Sequence, residues 1–85
     1  MNITPTLNIN GTSADDLIQP RMAARELLDD VIKTLKQVTP NGRDYPGDND
    51  RCVADREIHY ARLQMLREIQ DALVFEALTI KRQEV

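Results

Sequence analysis

Three groups of polar residues in this 85-residue chain have the types and spacing to bind a ligand. The first is the run Asn10-Gly11-Thr12-Ser13. A glycine followed by hydroxyl residues at the start of a helix presents free backbone N–H groups and the positive end of the helix dipole, which suits a phosphate or carboxylate. The same residues are equally typical of plain helix capping, and we favour that interpretation because nearly every helix needs such a cap.

The second group is the run Asn41-Gly42-Arg43-Asp44-Tyr45. It combines a guanidinium for anions, an aromatic ring for stacking a base, and amide and carboxylate groups for polar edges. A purely structural interpretation carries the same weight. In that case Asn41-Gly42 is a turn, Asp44 pairs with Arg43, and Tyr45 packs on the end of the helices.

The third group is His59 and Arg62, which lie three residues apart and therefore share a helix face. That face is otherwise apolar, and a buried arginine needs a partner. A carboxylate on the first helix is the favoured partner, and an anionic ligand is the alternative. The candidate carboxylates are those of Glu26, Asp29 and Asp30.

Catalysis and metal binding find little support in the sequence. Cys52 is the only cysteine and His59 the only histidine, which excludes an intrachain disulfide and an ordinary zinc site. Acid pairs such as Asp15 and Asp16 are adjacent, so on a helix their side chains point about 100° apart and cannot act together. We therefore expect a protein that is not an enzyme, with no catalytic residues, no metal ligands and no cofactor.

The composition limits the class of protein. Charged residues make up 29% of the chain, hydrophobic residues 41%, and the formal net charge is −3, which argues against broad binding to long nucleic acids. The longest apolar run is 72–75, far short of the roughly 18 residues that a membrane span needs. The start of the chain lacks the features of a secretion signal. These observations predict a cytoplasmic protein with one domain and no membrane partner.

The binding groups must be positioned by two helices. Residues 1–12 predict an extended segment, because the apolar Ile3, Leu7 and Ile9 have odd spacing, Pro5 interrupts them and the neighbouring β-branched threonines disfavour a helix. Ser13 followed by Asp16 approximates a capping box and predicts a helix over 13–38. Pro20 indicates either a restart of the helix with Pro20 at its first position or a kink. We favour the restart, because proline costs about 3 kcal/mol in a helix interior. The predicted apolar stripe of this helix is Leu17, Ala24, Leu28, Val31, Leu35 and Val38.

A polar loop is predicted over 39–49, and a second helix over 50–81, capped by a residue in the range 48–50. The predicted inward stripe of the second helix is Ile58, Met65, Leu66, Ile69, Ala72, Leu73 and Ile80. His59, Arg62 and Glu76 interrupt this stripe. The stretch 72–80 is apolar nearly all round, more than one partner helix can cover.

The predicted fold is therefore all-α: an antiparallel helical hairpin over 13–85, preceded by a short extended N-terminal segment and assembled into a helical oligomer. Two helices alone bury too little surface for a stable core, which favours the homo-oligomer. The alternative is a monomer whose N-terminal segment folds across the hairpin. In either case the groups at 10–13 and 41–45 lie at opposite ends, about 35–40 Å apart, so a site that uses both must be shared between copies.

The Asn-Gly-Thr-Ser start, the Asn-Gly-Arg-Asp-Tyr loop and the following helix with His59 and Arg62 resemble small proteins encoded by tailed phages and prophages. The resemblance covers most of the chain. Pro46 departs from it, since a second tyrosine is expected after Tyr45. Other small helical phage proteins form symmetric oligomers that sequester the cyclic nucleotides of bacterial immune systems. This chain is similar to those proteins in size, origin and architecture, and not in its motifs.

The expected function is that of a phage-encoded oligomer that sequesters a small anionic ligand, an immune nucleotide signal, at its subunit interfaces. In this hypothesis Arg43 and Arg62 neutralise phosphate and Tyr45 stacks on a base. The expected ligand-binding residues are Asn10, Gly11, Thr12, Ser13, Asn41, Arg43, Asp44, Tyr45, His59 and Arg62. The alternative is a helical interaction module that binds a host or phage protein through its apolar end at Val74, Phe75 and Leu78.

Overall fold

The computed structural model describes residues 1–84, and in this range the chain forms two α-helices and no strand. Helix α1 comprises Ala14–Leu35 and helix α2 comprises Asn49–Arg82, with 3₁₀ turns at Lys36–Val38 and Gly42–Asp44 between them. The predicted all-α class is confirmed. The predicted C-terminal boundary at Val85 lies outside the described residues. In the described range neither helix has an apolar stretch that could cross a membrane.

Side-chain caps set the starts of both helices. The Ser13 hydroxyl oxygen accepts a hydrogen bond from the Asp16 N–H at 3.1 Å, and the Asp48 carboxylate accepts one from the Arg51 N–H at 3.1 Å. Each bond satisfies an N–H group that has no partner within the helix. The predicted cap at Ser13 is confirmed, and the first helix continues beyond Leu35 as a 3₁₀ turn that ends at Val38, the predicted end.

The predicted restart at Pro20 is wrong, because α1 runs without interruption through this residue. Proline has no N–H, so the Asp16 carbonyl lacks its usual helical partner there. Pro20 lies on the exposed side of α1, where water can hydrate that carbonyl. One turn along, the Arg21 guanidinium donates to the Leu17 carbonyl oxygen at 2.7 Å. Solvent exposure and this side-chain bond make a proline tolerable inside α1.

Replacing Pro20 with alanine should stabilise the protein by about 1–2 kcal/mol, because it restores the missing N–H and removes the ring clash. Urea denaturation of the variant measures the gain. The neighbouring exposed residue gives a control, since Gln19→Ala changes neither a backbone bond nor a buried contact. A loss of stability in Pro20→Ala would show that the missing N–H and the proline ring do not destabilise α1.

The two α-helices pack side by side and run in opposite directions. Three hydrogen-bonded pairs join α1 and the residue after its 3₁₀ turn to α2. As the residue number on the α1 side increases, that of its partner in α2 decreases, so the two helices are antiparallel. The pairs are Thr39 with His59 at 3.0 Å, Arg25 with Gln70 at 3.0 Å, and Arg21 with Glu76 at 3.1 Å. The result is an elongated molecule of 63 × 20 × 16 Å.

The line of contact on α2 follows a seven-residue repeat that differs from the predicted stripe. The residues that α2 turns towards α1 are Cys52, His59, Leu63, Leu66, Leu73, Ala77 and Ile80. Ile58, Met65 and Ile69 were predicted inside, but each is about half exposed. The prediction failed because polar His59 and Gln70 occupy contact positions, so the apolar residues alone indicate the wrong face.

The same error affects Val31 of α1 and Val38 of the 3₁₀ turn that follows it, which are exposed although the pattern placed them inside. The buried members of α1 are Ala14 and Ile32, and the mostly buried Arg21 lies one heptad after Ala14. Leu28 and Leu35 of the predicted stripe continue this seven-residue series and are half-buried, so the prediction is wrong at Val31 and Val38 and not along the whole stripe. Both helices therefore keep an apolar stripe beside their contact line that the other helix does not cover.

The N-terminal segment lies in extended form along the C-terminal half of α2. The Ile3 N–H donates to a Glu76 carboxylate oxygen at 2.9 Å, and the Leu7 N–H donates to the Gln83 side-chain carbonyl at 2.8 Å. The Gln83 amide in turn donates to the Pro5 carbonyl at 2.9 Å. The segment covers part of α2 but leaves Phe75 half exposed.

Candidate ligand-binding pocket at the loop end

An open pocket of about 400 Å³ lies where the loop between the helices folds over the beginning of α2. We call it the loop-end pocket. Its lining residues are Val38, Pro40, Tyr45, Asp55, Ile58, His59 and Arg62. Three predicted ligand-binding residues, Tyr45, His59 and Arg62, come together in it.

Helix α2 provides the polar wall of the pocket. Asp55, His59 and Arg62 follow the i, i+4, i+7 spacing that places side chains on one helix face. The loop is fixed to this wall at two points. The Arg56 Nε donates to the Pro40 carbonyl at 2.8 Å, and the Tyr45 hydroxyl donates to the Asp55 carboxylate at 2.6 Å. The pocket is therefore preformed by bonds between the loop and α2.

Tyr45 is held as a neutral phenol in this arrangement. Its hydrogen bond to the Asp55 carboxylate raises the pKa of Tyr45 above the ordinary value of 10.0, and desolvation and the Asp55 charge act in the same direction. The ring is partly exposed and faces the pocket. It offers an aromatic surface, and its hydroxyl proton is already committed to Asp55.

His59 is buried, with its Nε2 3.0 Å from the Thr39 hydroxyl oxygen. That hydroxyl also lies 2.7 Å from the Lys36 carbonyl oxygen, to which it donates. The Nε2 of His59 is therefore engaged by a hydroxyl of the fold itself. The role of His59 in the structure is to hold the 3₁₀ turn at the pocket's edge.

Arg62 departs from the sequence prediction, which buried it against a carboxylate of α1. The residue is exposed, and none of the ion pairs within residues 1–84 involves it. Of the three predicted partners, Asp29 lies 3.5 Å from Lys33 on its own helix. Because the pairing with α1 is absent, the Arg62 guanidinium supplies positive charge to the loop-end pocket.

The Asn10–Ser13 group lies at the opposite end of α1. The Gly11 N–H donates to the Asn8 carbonyl at 2.9 Å, and the Asn10 N–H donates to the Asn8 side chain at 3.0 Å. Together with the Ser13 cap, these bonds account for a turn leading into the helix, while Thr12 is exposed. The 22 residues of α1, about 33 Å long, separate this group from the loop-end pocket.

The loop motif is divided between two surfaces. The Asn41 side chain accepts from the Arg43 N–H at 3.1 Å and caps the second 3₁₀ turn, while Tyr45 faces the loop-end pocket. Arg43 and Asp44 are exposed, and neither lines that pocket. Asp44 lines a second open pocket of about 450 Å³ with Arg51, and Tyr45 lies between the two pockets and lines both. The five residues do not form one continuous binding loop.

Sequence reasoning missed two residues that shape the site. Asp55 was not considered, although its spacing from His59 and Arg62 is the signal that could have found it. Thr39 was treated as the start of a polar loop, and nothing in the sequence indicates that its hydroxyl meets a histidine 20 residues away.

In the described part of the chain no three His, Cys, Asp or Glu side chains form a group that could hold a metal ion. The Cys52 thiol is buried and does not line the loop-end pocket. What the pocket presents is one guanidinium, one aromatic ring, one carboxylate engaged by a phenol, and apolar walls.

No protein-family model matches the chain, and no curated protein or solved structure shows significant similarity to it.

Proposed function

We propose that the protein is a non-enzymatic binding protein that holds a small anionic, nucleotide-like ligand in the loop-end pocket. The observation that carries the proposal is the exposed Arg62 guanidinium beside the Tyr45 ring in a preformed cavity of about 400 Å³. Ligand sites for small molecules typically enclose about 300–1,000 Å³, with few polar groups among apolar walls. The loop-end pocket has this size, and its lining is more polar, with Tyr45, Asp55, His59 and Arg62 beside the apolar Val38, Pro40 and Ile58.

The charges in the pocket give the ligand an orientation. Arg62 pairs with the phosphate, since a guanidinium binds phosphate oxygens with two parallel hydrogen bonds. Asp55 repels negative charge, so the uncharged part of the ligand lies on the side of Tyr45. There its ring stacks on the phenol and packs against the apolar side chains of Val38 and Ile58. A nucleotide has both required parts, an anion and a flat ring.

The pocket is open to solvent, and an assembly of several helical hairpins would close it. In such a homo-oligomer, residues that lie outside the pocket in one chain, such as the Asn10–Ser13 group, become available from a neighbouring copy. A protein of this kind would act as a sponge that sequesters an immune nucleotide signal in the cytoplasm of a phage-infected cell. The resemblance to phage proteins suggests that role.

Thermal melting against a panel of cyclic and linear nucleotides tests the proposal. A ligand present at about 100 times its dissociation constant should stabilise the protein by about 2.7 kcal/mol. Arg62→Ala should abolish the stabilisation, whereas Arg43→Ala should retain most of it, because Arg43 does not line the pocket. Absence of any shift across the panel, or equal loss in both variants, would refute the assignment of this pocket.

A second candidate function rests on a different surface. At the other end of the molecule an apolar groove lies between the helices, lined by Ile18, Met22, Val74, Ala77, Leu78 and Lys81. Phe75 beside it is half exposed. Such a groove suits an amphipathic helix of a protein partner, so an interaction module is the competing proposal. Loss of the nucleotide effect together with an intact fold would favour it.

A further inference from the structure

A broad apolar surface remains uncovered on one side of the helix pair, and we call it the front face. Each of its members is between 43% and 66% exposed. They are Leu27 and Val31 of α1, Val38 of the 3₁₀ turn that follows it, and Ile58, Met65 and Ile69 of α2. Isolated exposed apolar residues need no explanation, but a contiguous patch of this kind usually marks an interaction site.

The two halves of the front face lie on the same side of the molecule. Val38 and Ile58 both line the loop-end pocket, which fixes the side at that end. Val31 lies seven residues before Val38, and Met65 lies seven residues after Ile58, so the repeat that aligns the helices keeps them on this side. The front face therefore runs from the loop-end pocket to about the middle of the molecule.

The exposed area of the chain indicates how much surface is left to cover. The accessible surface is 6553 Å², whereas a folded monomer of 9.7 kDa is expected to expose about 5,100 Å². The excess is about 1,400 Å² per chain. A standard protein interface buries about 800 Å² on each partner, so one interface of that size accounts for much of it. A second copy of the same chain would cover part of this excess surface on both molecules at once.

We propose that the front face is the interface of a two-fold symmetric homodimer whose chains lie antiparallel to one another. The charges on the face favour this orientation. Arg62 lies in the half near the loop-end pocket, while Glu68 lines a groove in the other half, beside Met1 of the N-terminal segment. If the second copy is antiparallel to the first, the basic half of each front face lies against the acidic half of the other. If the two copies are parallel, each half lies against a half of the same charge.

The sequence of α2 places the symmetry axis. Met65 is midway between Arg62 and Glu68, so an axis that crosses the helices at Met65 brings Arg62 opposite Glu68 of the partner subunit, and the two Met65 side chains meet. The same axis sets bulky side chains against small ones. Ile58 comes to the level of Ala72 of the partner subunit, and Ile69 to that of Ala61 of the partner subunit, which lets the surfaces interdigitate.

This dimer deepens the proposed function, because it rests on the self-association proposed there and specifies the face used. Val38, Ile58 and Arg62 belong both to the front face and to the loop-end pocket, so the second copy covers the open side of the pocket. The guanidinium has five N–H donors, enough to contact Glu68 of the partner subunit and a phosphate together. The interface itself forms without a ligand.

Light scattering of the full chain measures the first consequence, a solution mass twice the chain mass of 9.7 kDa. Met65→Lys should raise the dimer dissociation constant about 100-fold, because a charge at the axis must lose its water. Leu78→Lys is the matched control, since Leu78 is also half exposed but lies outside the front face. A monomeric parent protein would overturn the proposal, as would a dimer that Leu78→Lys dissociates and Met65→Lys does not.

Two further variants test the orientation. Because Cys52 is buried, Met65→Cys supplies an accessible thiol and should form a disulfide-linked dimer across the axis. Arg62→Glu should weaken the dimer about tenfold, and Arg62→Glu combined with Glu68→Arg should restore it. A dimer without the crosslink and without the rescue would refute the antiparallel arrangement.

The outcomes separate this inference from the proposed function. A dimer that no nucleotide stabilises refutes the ligand proposal alone. A monomer that nucleotides stabilise refutes the dimer alone.

Discussion

Replacing Glu76 with alanine should destabilise the fold by about 3–5 kcal/mol, the cost of leaving a buried charge without its partner. Glu76 is only 5% exposed, and both of its carboxylate oxygens are engaged. One accepts from the Arg21 Nε at 3.1 Å and the other from the Ile3 N–H at 2.9 Å. Truncation leaves a mostly buried guanidinium without its counter-ion and the Ile3 N–H without its acceptor. That is a large loss for a small domain with about 5–15 kcal/mol in total.

Urea denaturation measures this loss, with Glu57→Ala as the control, since Glu57 is an exposed glutamate on the same helix. Arg21→Leu combined with Glu76→Leu should recover most of the stability, because no uncompensated charge remains. Amide hydrogen exchange at Ile3 should accelerate in both Glu76 variants, since the acceptor that holds the N-terminal segment is gone. A Glu76→Ala variant within about 1 kcal/mol of the parent protein would show that the ion pair does not support the fold.

The Arg21–Glu76 pair also illustrates what the sequence conceals. The two residues are 55 positions apart, and Glu76 reads only as an interruption of an apolar stripe. The starts of the helices were predictable because Ser13 and Asp48 act on backbone groups three residues away. Pro20 is the local signal that misled, because its cost was known but the exposed position and the Arg21 side chain that make it tolerable were not.

The candidate site was predictable to the extent that it depends on helix spacing. His59 and Arg62 line one pocket, as residues three apart on a helix can. Their separate environments were not predictable, since the burial of His59 depends on the Thr39 hydroxyl and the exposure of Arg62 depends on which face meets α1. The inclusion of Tyr45 and exclusion of Arg43 are set by the Asp55 contact, which only the folded loop creates.

Replacing Leu63 with alanine should cost about 3 kcal/mol, in the range for truncating a leucine that neighbouring side chains cannot collapse around. Leu63 is 3% exposed at the contact line of the helices, although the apolar pattern of α2 omitted it. Leu78→Ala is the matched control, because Leu78 is 49% exposed on the same helix and should lose about 1 kcal/mol or less. Urea denaturation at low protein concentration compares the two. Equal losses would mean that Leu63 does not lie in the contact line, and would favour the frame that the apolar residues alone predict.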